Sequence, residues 1–233
     1  MKPAEFHGRR RSQGFRSEIL TAVAVLLLLG CERDIPVAGI EFEISGYGIS
    51  GFVTDRIGNP IRNVPIALHY DYEYVDANPP ESRVFQVTDP NVTVRIKVFD
   101  RSNRLRRLLY EGQVSPGPLS VQWDLKDSFG VPVPSGIYTV QFTVGAEVKQ
   151  SYTVTVSGAV TARTDSLGSF AIMNENLPIG FYPVPLYSSD RTSFLGNYRI
   201  VPYVTVEATV QSIKRSAYIS LARDRVTRVE LKF

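Results

Sequence analysis

Short segments in which apolar and polar residues alternate, separated by Gly- and Pro-containing turns, constrain the fold of this chain most strongly. Between positions 92 and 99, Val92, Val94, Ile96 and Val98 would share one side of a strand, because successive side chains in a strand point to opposite faces. Further segments rich in β-branched and aromatic residues lie at 137–144, 152–156, 201–210 and 226–233. Beyond residue 30, no helical periodicity lasts for more than a turn or two. The pattern predicts an all-β protein of the β-sandwich class.

The first 30 residues differ from the rest of the chain. Arginines at 9–11 and 16 precede an apolar run of twelve residues, 19–30, which ends directly before Cys31, the only cysteine. A charged segment, a short apolar run and a small residue before the cut site are typical of a secretory signal peptide. The run is short compared with the roughly 20 residues of a membrane-spanning helix. We therefore expect removal of residues 1–30. The alternative is an uncleaved anchor that carries an incidental thiol.

The sequence Leu-Leu-Gly-Cys at 28–31 resembles the lipobox of bacterial lipoproteins. This resemblance implies that Cys31 becomes the first residue, acylated by a fatty acid such as palmitate, and that residues 31–36 form a tether. Each buried methylene of an acyl chain contributes about 0.8 kcal/mol to membrane binding. The residue after Cys31 is Glu32 and not Asp. In the lipoproteins that this signal resembles, that choice favours transport to the outer membrane. We therefore expect an envelope protein that contacts the membrane through its lipid and faces the periplasm or the exterior.

The charge of the chain depends on this segment. Of the 26 basic and 23 acidic residues, five and two lie within residues 1–30, so the remainder carries 21 of each. A neutral mature chain gives no reason to expect a nucleic-acid partner. Four arginines at 101, 104, 106 and 107 remain as a basic cluster. We interpret them as a solvated edge, with phosphate binding as the alternative.

Two distant segments resemble one family. Residues 50–66 contain a strand-like segment with Gly, Val and Asp, then a Gly-Asn-Pro turn, and then a second strand-like segment with apolar residues. At 164–170 and 177–182 the chain reads Thr-Asp-Ser-Leu-Gly-Ser-Phe and Leu-Pro-Ile-Gly-Phe-Tyr. These motifs resemble a carboxypeptidase-regulatory-like domain, which has a transthyretin-like β-sandwich fold and is a non-catalytic accessory module. Asp55 and Asn59 are expected to bond turn amides, as Asx side chains do.

The intervening segment resembles a different module. In order, it contains alternating strands at 94–100 and 105–109, Val-Gln-Trp-Asp at 121–124, Asp-Ser-Phe-Gly at 127–130 and Val-Pro-Ser-Gly-Ile-Tyr at 133–138. This order is similar to the Ig-like domain of flagellar hook-capping proteins. The resemblance implies that Trp123 lies in a sandwich core and that Asp124 and Asp127 shape a hairpin ending at Gly130. It also implies that Gly136 adopts a backbone conformation that other residues resist.

These resemblances predict that one unit is inserted into the other. The host sandwich would comprise residues 37–78 and 158–233, and the inserted sandwich residues 79–157. Domain termini often lie close together at the surface, so a loop can carry such an insertion. The alternative is three consecutive β-units without nesting.

The residues that catalysis requires are scarce. His69 is the only histidine after residue 30, and no nucleophile elbow, P-loop or His-Glu-x-x-His motif occurs. Carboxylates at 71, 73 and 76, or at 124 and 127, could offer oxygens to calcium, but turn formation also explains them. We therefore expect no catalysis, no cofactor and no metal.

The best candidate binding residues are Tyr70, Tyr72 and Tyr74, which alternate along one strand and so share a face. They could stack on sugars or on a partner, or they could cover the seam between the two sandwiches. Other aromatic residues are concentrated in a second region, at 181, 182, 187 and 198. We expect a structural or protein-binding role with an envelope protein as partner. The alternative is a carbohydrate-binding module that uses this aromatic strand face.

Overall fold

The computed structural model describes residues 45–181, 183–188 and 192–233. Every described residue belongs to one compact unit, Glu43–Phe233. The predicted signal peptide, Cys31 and the tether therefore lie outside the described residues, as does Tyr182 of the second aromatic region.

The described residues form fourteen strands and one 3₁₀ helix, with no α-helix. The strands are β1 Tyr47–Thr54, β2 Pro65–Asp76, β3 Phe85–Val87, β4 Val92–Asp100, β5 Leu105–Val114, β6 Gly117–Leu119, β7 Gly136–Val144, β8 Glu147–Val156, β9 Ala159–Arg163, β10 Ser169–Ile172, β11 Val184–Tyr187, β12 Phe194–Val210, β13 Ile213–Ser220 and β14 Arg225–Lys232. The 3₁₀ helix is Asn174–Asn176. The predicted all-β fold class is confirmed.

No helix in the described part of the chain is long and apolar enough to cross a membrane.

Strands from both ends of the described chain build the first pair of sheets. One sheet has the order β10-β1-β14, and the other has the order β11-β12-β2-β9, with β13 also paired to β12. Strand β1 runs parallel to β14 over its whole length and antiparallel to β10. Their inward residues form one core, in which Ile49, Leu68 and Val206 have no exposed surface.

Strands from the middle of the chain build the second pair of sheets. Strand β3 pairs with β6, and a four-stranded sheet has the order β5-β4-β7-β8. A separate core lies between them, where the ring of Phe85 stacks on Phe142 with centroids 4.6 Å apart. Trp123 is 4% exposed there and donates its indole N–H to the carbonyl of Lys126 at 2.8 Å. The expected core position of Trp123 is therefore observed.

The path of the chain between the two pairs of sheets is simple. The chain passes from β2 to β3 once and returns from β8 to β9 once. Strands β1, β2 and β9 to β14 pair with one another, whereas β3 to β8 pair only among themselves. The two crossings place one end of the second pair of sheets against the first.

Three hairpin turns share one hydrogen-bonding pattern. In each turn an Asp carboxylate oxygen accepts the backbone N–H groups two and four residues later, at 2.8–2.9 Å. The acceptors are Asp55, Asp127 and Asp165. The glycine three residues after each Asp has a positive φ, of 91°, 78° and 69° respectively. The expected bonding of turn amides is thus observed for Asp55, whereas Asn59 donates its side-chain amide to the carboxylate of Asp55.

The expectation for Gly136 is wrong. Gly136 begins strand β7 and is not among the residues with positive φ, and a Cβ there would meet its nearest neighbour at an ordinary 3.6 Å. Gly130 carries the left-handed conformation instead, with a φ of 78°. The tight hairpin at 127–130 needs that conformation, whereas the first residue of a regular strand does not.

Candidate functional site

The predicted tyrosine row lies on the inward side of β2, and its rings pass gradually from core to solvent. Tyr70 is 6% exposed, Tyr72 is half-buried and Tyr74 is 55% exposed. Edge-to-face contacts connect them, with centroids 6.5 Å apart for Tyr70 and Tyr72 and 5.5 Å apart for Tyr74 and Tyr198 of β12. Only the outer end of the row can meet a ligand or a partner.

The inner end of the row lies at the junction between the two pairs of sheets. The hydroxyl of Tyr70 donates to the carbonyl of Asn176 at 2.7 Å, and its backbone N–H donates to the hydroxyl of Ser157 at 2.9 Å. Burial raises the pKa of Tyr70 well above its ordinary value, and burial also raises the pKa of Tyr72. Both phenols therefore stay neutral and serve packing.

A buried serine joins the two pairs of sheets directly. Ser135 has no exposed surface, donates its hydroxyl to the carbonyl of Leu68 at 2.7 Å and accepts the N–H of Ala159 at 3.0 Å. Its own carbonyl accepts the side-chain amide of Asn176 at 2.8 Å. Nearby, Ile137 of β7 packs in the core of the first pair of sheets. The junction therefore combines apolar packing with satisfied polar groups.

The arginine cluster takes part in the same junction and does not form a purely solvated edge. Arg101 donates to the carbonyl of Asn174 at 3.0 Å, and Arg104 pairs with Glu175. The other two arginines bind carboxylates of their own unit: Arg106 pairs with Asp100 at 2.7 Å, and Arg107 pairs with Asp124 at 3.1 Å. Arg101 and Arg104 are exposed, as expected for a solvated edge, whereas Arg106 and Arg107 are half-buried. Carboxylates or carbonyls lie within reach of all four guanidinium groups.

A cleft of about 510 Å³ lies beside β8, between residues 120–125 and strand β11. Trp123 and Tyr152 contribute apolar surface, and the guanidinium of Arg83 lies 3.5 Å from the ring centroid of Tyr187. No Asp, Glu or His is found among the described residues that line it. The cleft offers surface for binding and lacks an acid–base pair in its described walls.

A pair of tyrosines that sequence reasoning missed lies on the outer face of the sheet that contains β2. Tyr203 of β12 and Tyr218 of β13 are nearly parallel, with centroids 5.9 Å apart and planes 11° apart. The phenol of Tyr218 donates to a carboxylate oxygen of Asp71 at 2.8 Å. Because side chains alternate between the two faces of a strand, the sequence around Val204 could have predicted that Tyr203 points outward. Tyr218 lies beside Tyr203 only because of the register between β12 and β13.

The carboxylates considered for calcium have other partners. Asp71 accepts the phenol of Tyr218, and Glu73 lies 3.8 Å from Arg199. Asp76 accepts the side-chain amide of Asn197, and this bond lowers the pKa of Asp76. Within residues 45–181, 183–188 and 192–233, no group of three or more His, Cys, Asp or Glu side chains could hold a metal ion.

His69 lies on the outward side of β2, next to Gly158. A Cβ atom at position 158 would lie 2.9 Å from the imidazole ring of His69.

No family model, curated protein or solved structure matches this chain. The resemblances to lipoprotein signals, to carboxypeptidase-regulatory-like domains and to hook-capping Ig-like domains therefore stay predictions.

Proposed function

We propose that this chain is a lipid-anchored protein of the bacterial cell envelope with a structural or protein-binding role. An acyl chain on Cys31 would tie it to the outer membrane, and residues 31–36 would connect it to the β-sandwich units. The lipobox-like sequence and its charged and apolar flanks support the anchor. The described cleft and sheet faces would serve recognition and not turnover.

The observation that carries this proposal is the burial of the inner tyrosines at the junction. A row of rings that served as a sugar platform would be exposed along its length. Tyr70 is instead 6% exposed and bonded to Asn176. A row that packs the junction favours a rigid scaffold, because tightly packed interfaces resist domain motion. Tyr74, at the exposed end, remains a candidate contact for a partner protein.

We further propose that residues 79–157 form the inserted unit and that residues 37–78 and 158–233 form its host. Two chain crossings, the buried hydroxyl of Ser135 and the packing of Ile137 support a fixed arrangement of the two. An envelope scaffold benefits from such an arrangement, since a preorganised surface loses less entropy when it binds.

Membrane fractionation in a bacterial host tests the anchor. The Cys31→Ser variant should leave the membrane fraction after a salt wash, whereas the wild-type chain should remain. Unchanged retention of the variant would overturn the anchor.

Photo-crosslinking in the same cells tests the protein-binding role. A photoreactive residue at Tyr74, which is 55% exposed, should give a discrete protein adduct. The same residue at Arg223, whose side chain is 77% exposed, is the matched control and should give none. Adducts from neither position, or equally from both, would contradict a specific partner at the end of the tyrosine row.

A further inference from the structure

The exposed tyrosine pair on the outer face of the sheet is a built feature of two adjacent strands. Val204 and Val206 point into the core, so residues 203 and 205 of β12 point outward. Thr205 lies opposite Tyr218, which makes Tyr203 and Tyr218 diagonal neighbours. Their exposed fractions are 42% and 63%. The two rings thus stack on each other, with centroids 5.9 Å apart, on a surface where solvent reaches both.

Neighbouring groups hold the pair in place. Strands β12 and β13 are paired over eight residues, and the phenol of Tyr218 is bonded to Asp71. This hydrogen bond raises the pKa of Tyr218, so the phenol stays a neutral donor to the carboxylate. The rings therefore lose little conformational freedom when a ligand stacks on them.

The surroundings of the rings are polar and offer several hydrogen-bonding groups. His69, Thr205 and Tyr218 lie opposite one another across three strands, and Ser220 lies opposite Tyr203. The nearby charges are largely paired. Glu207 accepts from Lys214 at 2.9 Å, and Glu73 lies 3.8 Å from Arg199. The surface thus combines two apolar ring faces with hydroxyls, an imidazole and the carboxylate of Asp71.

We propose that this face binds the pyranose rings of a glycan. A pyranose presents an apolar C–H face that can stack on the rings of Tyr203 and Tyr218. Its hydroxyl groups can bond to acceptors and donors such as Asp71 and Thr205. The site is separate from the row of Tyr70, Tyr72 and Tyr74 and does not depend on lipidation of Cys31.

The size of the apolar surface favours a glycan over a protein partner. A stable protein interface buries about 800 Å² on each side. More than half of that area, about 450 Å², is apolar. A fully buried aromatic side chain covers roughly 150–250 Å², so Tyr203 and Tyr218, which are 42% and 63% exposed, offer roughly 160–260 Å² between them. Polar groups surround this small apolar centre. Such a surface suits a ligand about as wide as a sugar ring.

Co-sedimentation of the mature full chain, in detergent micelles, with three insoluble β-1,4-linked glycans tests the proposal. The probes are cellulose, chitin and purified peptidoglycan sacculi. The protein should pellet with at least one of them. Binding to sacculi alone identifies a cell-wall glycan, and binding to cellulose or chitin identifies an external one. Failure to pellet with any of the three overturns the proposal.

Variants assign the binding to the tyrosine pair. The double variant Tyr203→Ala/Tyr218→Ala should lower the affinity roughly tenfold or more, since stacked aromatic contacts dominate such sites. The conservative pair Tyr203→Phe/Tyr218→Phe keeps both ring faces and should retain most of the binding. Phe129→Ala removes a ring that is 91% exposed elsewhere and should bind as wild type does. Equal binding by the double alanine variant and the wild type would refute the assignment.

Tyrosine nitration can be measured on the wild-type protein, so this test does not depend on whether a variant folds. The glycan should protect Tyr203 and Tyr218 from nitration, while Tyr74, which is 55% exposed on the opposite face of the sheet, should stay reactive. Protection that rises with protein concentration in the absence of glycan would show self-association through this face instead. That result, or nitration unaffected by the glycan, overturns the proposal.

Discussion

The hydroxyl of Ser135 donates to the carbonyl of Leu68 at 2.7 Å and so connects the segment before β7 with strand β2. Leu68 belongs to one core, and Ser135 precedes a strand of the other. The same carbonyl also accepts the N–H of Gly158 at 2.8 Å, just after the chain leaves β8. This carbonyl therefore binds both the segment before β7 and the return crossing from β8 to β9 to strand β2.

Replacing Ser135 with Ala should lower the free energy of unfolding by about 1–3 kcal/mol, because the N–H of Ala159 would lose its acceptor in a partly buried site. Urea denaturation followed by circular dichroism measures the change. Ser166→Ala, at an exposed turn position, is the matched control and should change stability by less than about 0.5 kcal/mol. Equal stability of the two variants would mean that the buried hydroxyl does not stabilise the junction.

Gly168→Ala should destabilise the protein more than Gly130→Ala does. Both glycines have positive φ, 69° and 78°, in turns of the same pattern, so each substitution costs about 1–2 kcal/mol in backbone strain. A Cβ at Gly168 would also lie 2.6 Å from the carbonyl oxygen of Val53, whereas a Cβ at Gly130 would meet nothing within 4 Å. Denaturation midpoints of the two variants measure the difference. A Gly130 variant as unstable as the Gly168 variant would contradict this contact.

Alkaline pH should unfold the protein in step with tyrosine ionisation. Burial raises the pKa of Tyr138 from 10.0 to about 12, and it raises the pKa of Tyr70 and Tyr152 in the same direction. Below pH 10 these phenols are neutral in both states, so their contribution is fully present. As the pH rises toward about 12, the unfolded chain ionises first and the stability falls.

Tyrosinate absorbance and circular dichroism, recorded during the same titration, test this dependence. The two transitions should coincide for the buried phenols. Tyr138→Phe should show a smaller loss of stability between neutral and alkaline pH than the wild type shows. A wild-type protein whose stability does not change up to pH 12 would show that these phenols are not buried.

Local sequence patterns predicted much of the fold. Period-two alternation identified the strand at 92–99, and Gly- and Pro-containing segments such as 57–60 identified turns, because both signals act between near neighbours in sequence. The core position of Trp123 followed from a resemblance of motif order. The error at Gly136 followed from the same resemblance, because Gly136 begins a regular strand.

The remaining features depend on contacts between distant residues. Tyr70 is buried in the core of the first pair of sheets, and its hydroxyl bonds to the carbonyl of Asn176, which lies 106 positions away in sequence. Tyr218 meets Asp71 only through the register of β13 and β12 and of β12 and β2, across 147 positions. Alternation along one strand does not reveal which strand pairs with it or in which register. Neither the gradation of the tyrosine row nor the outer tyrosine pair could therefore be predicted from local patterns.

Intact-mass and N-terminal analysis of the protein purified from bacterial membranes is the most direct measurement of the proposed envelope anchor. We predict a mature chain that begins at Cys31 and carries covalently bound acyl groups, with residues 1–30 removed. An unmodified chain that still begins at Met1, or a processed chain without any acyl group, would contradict it.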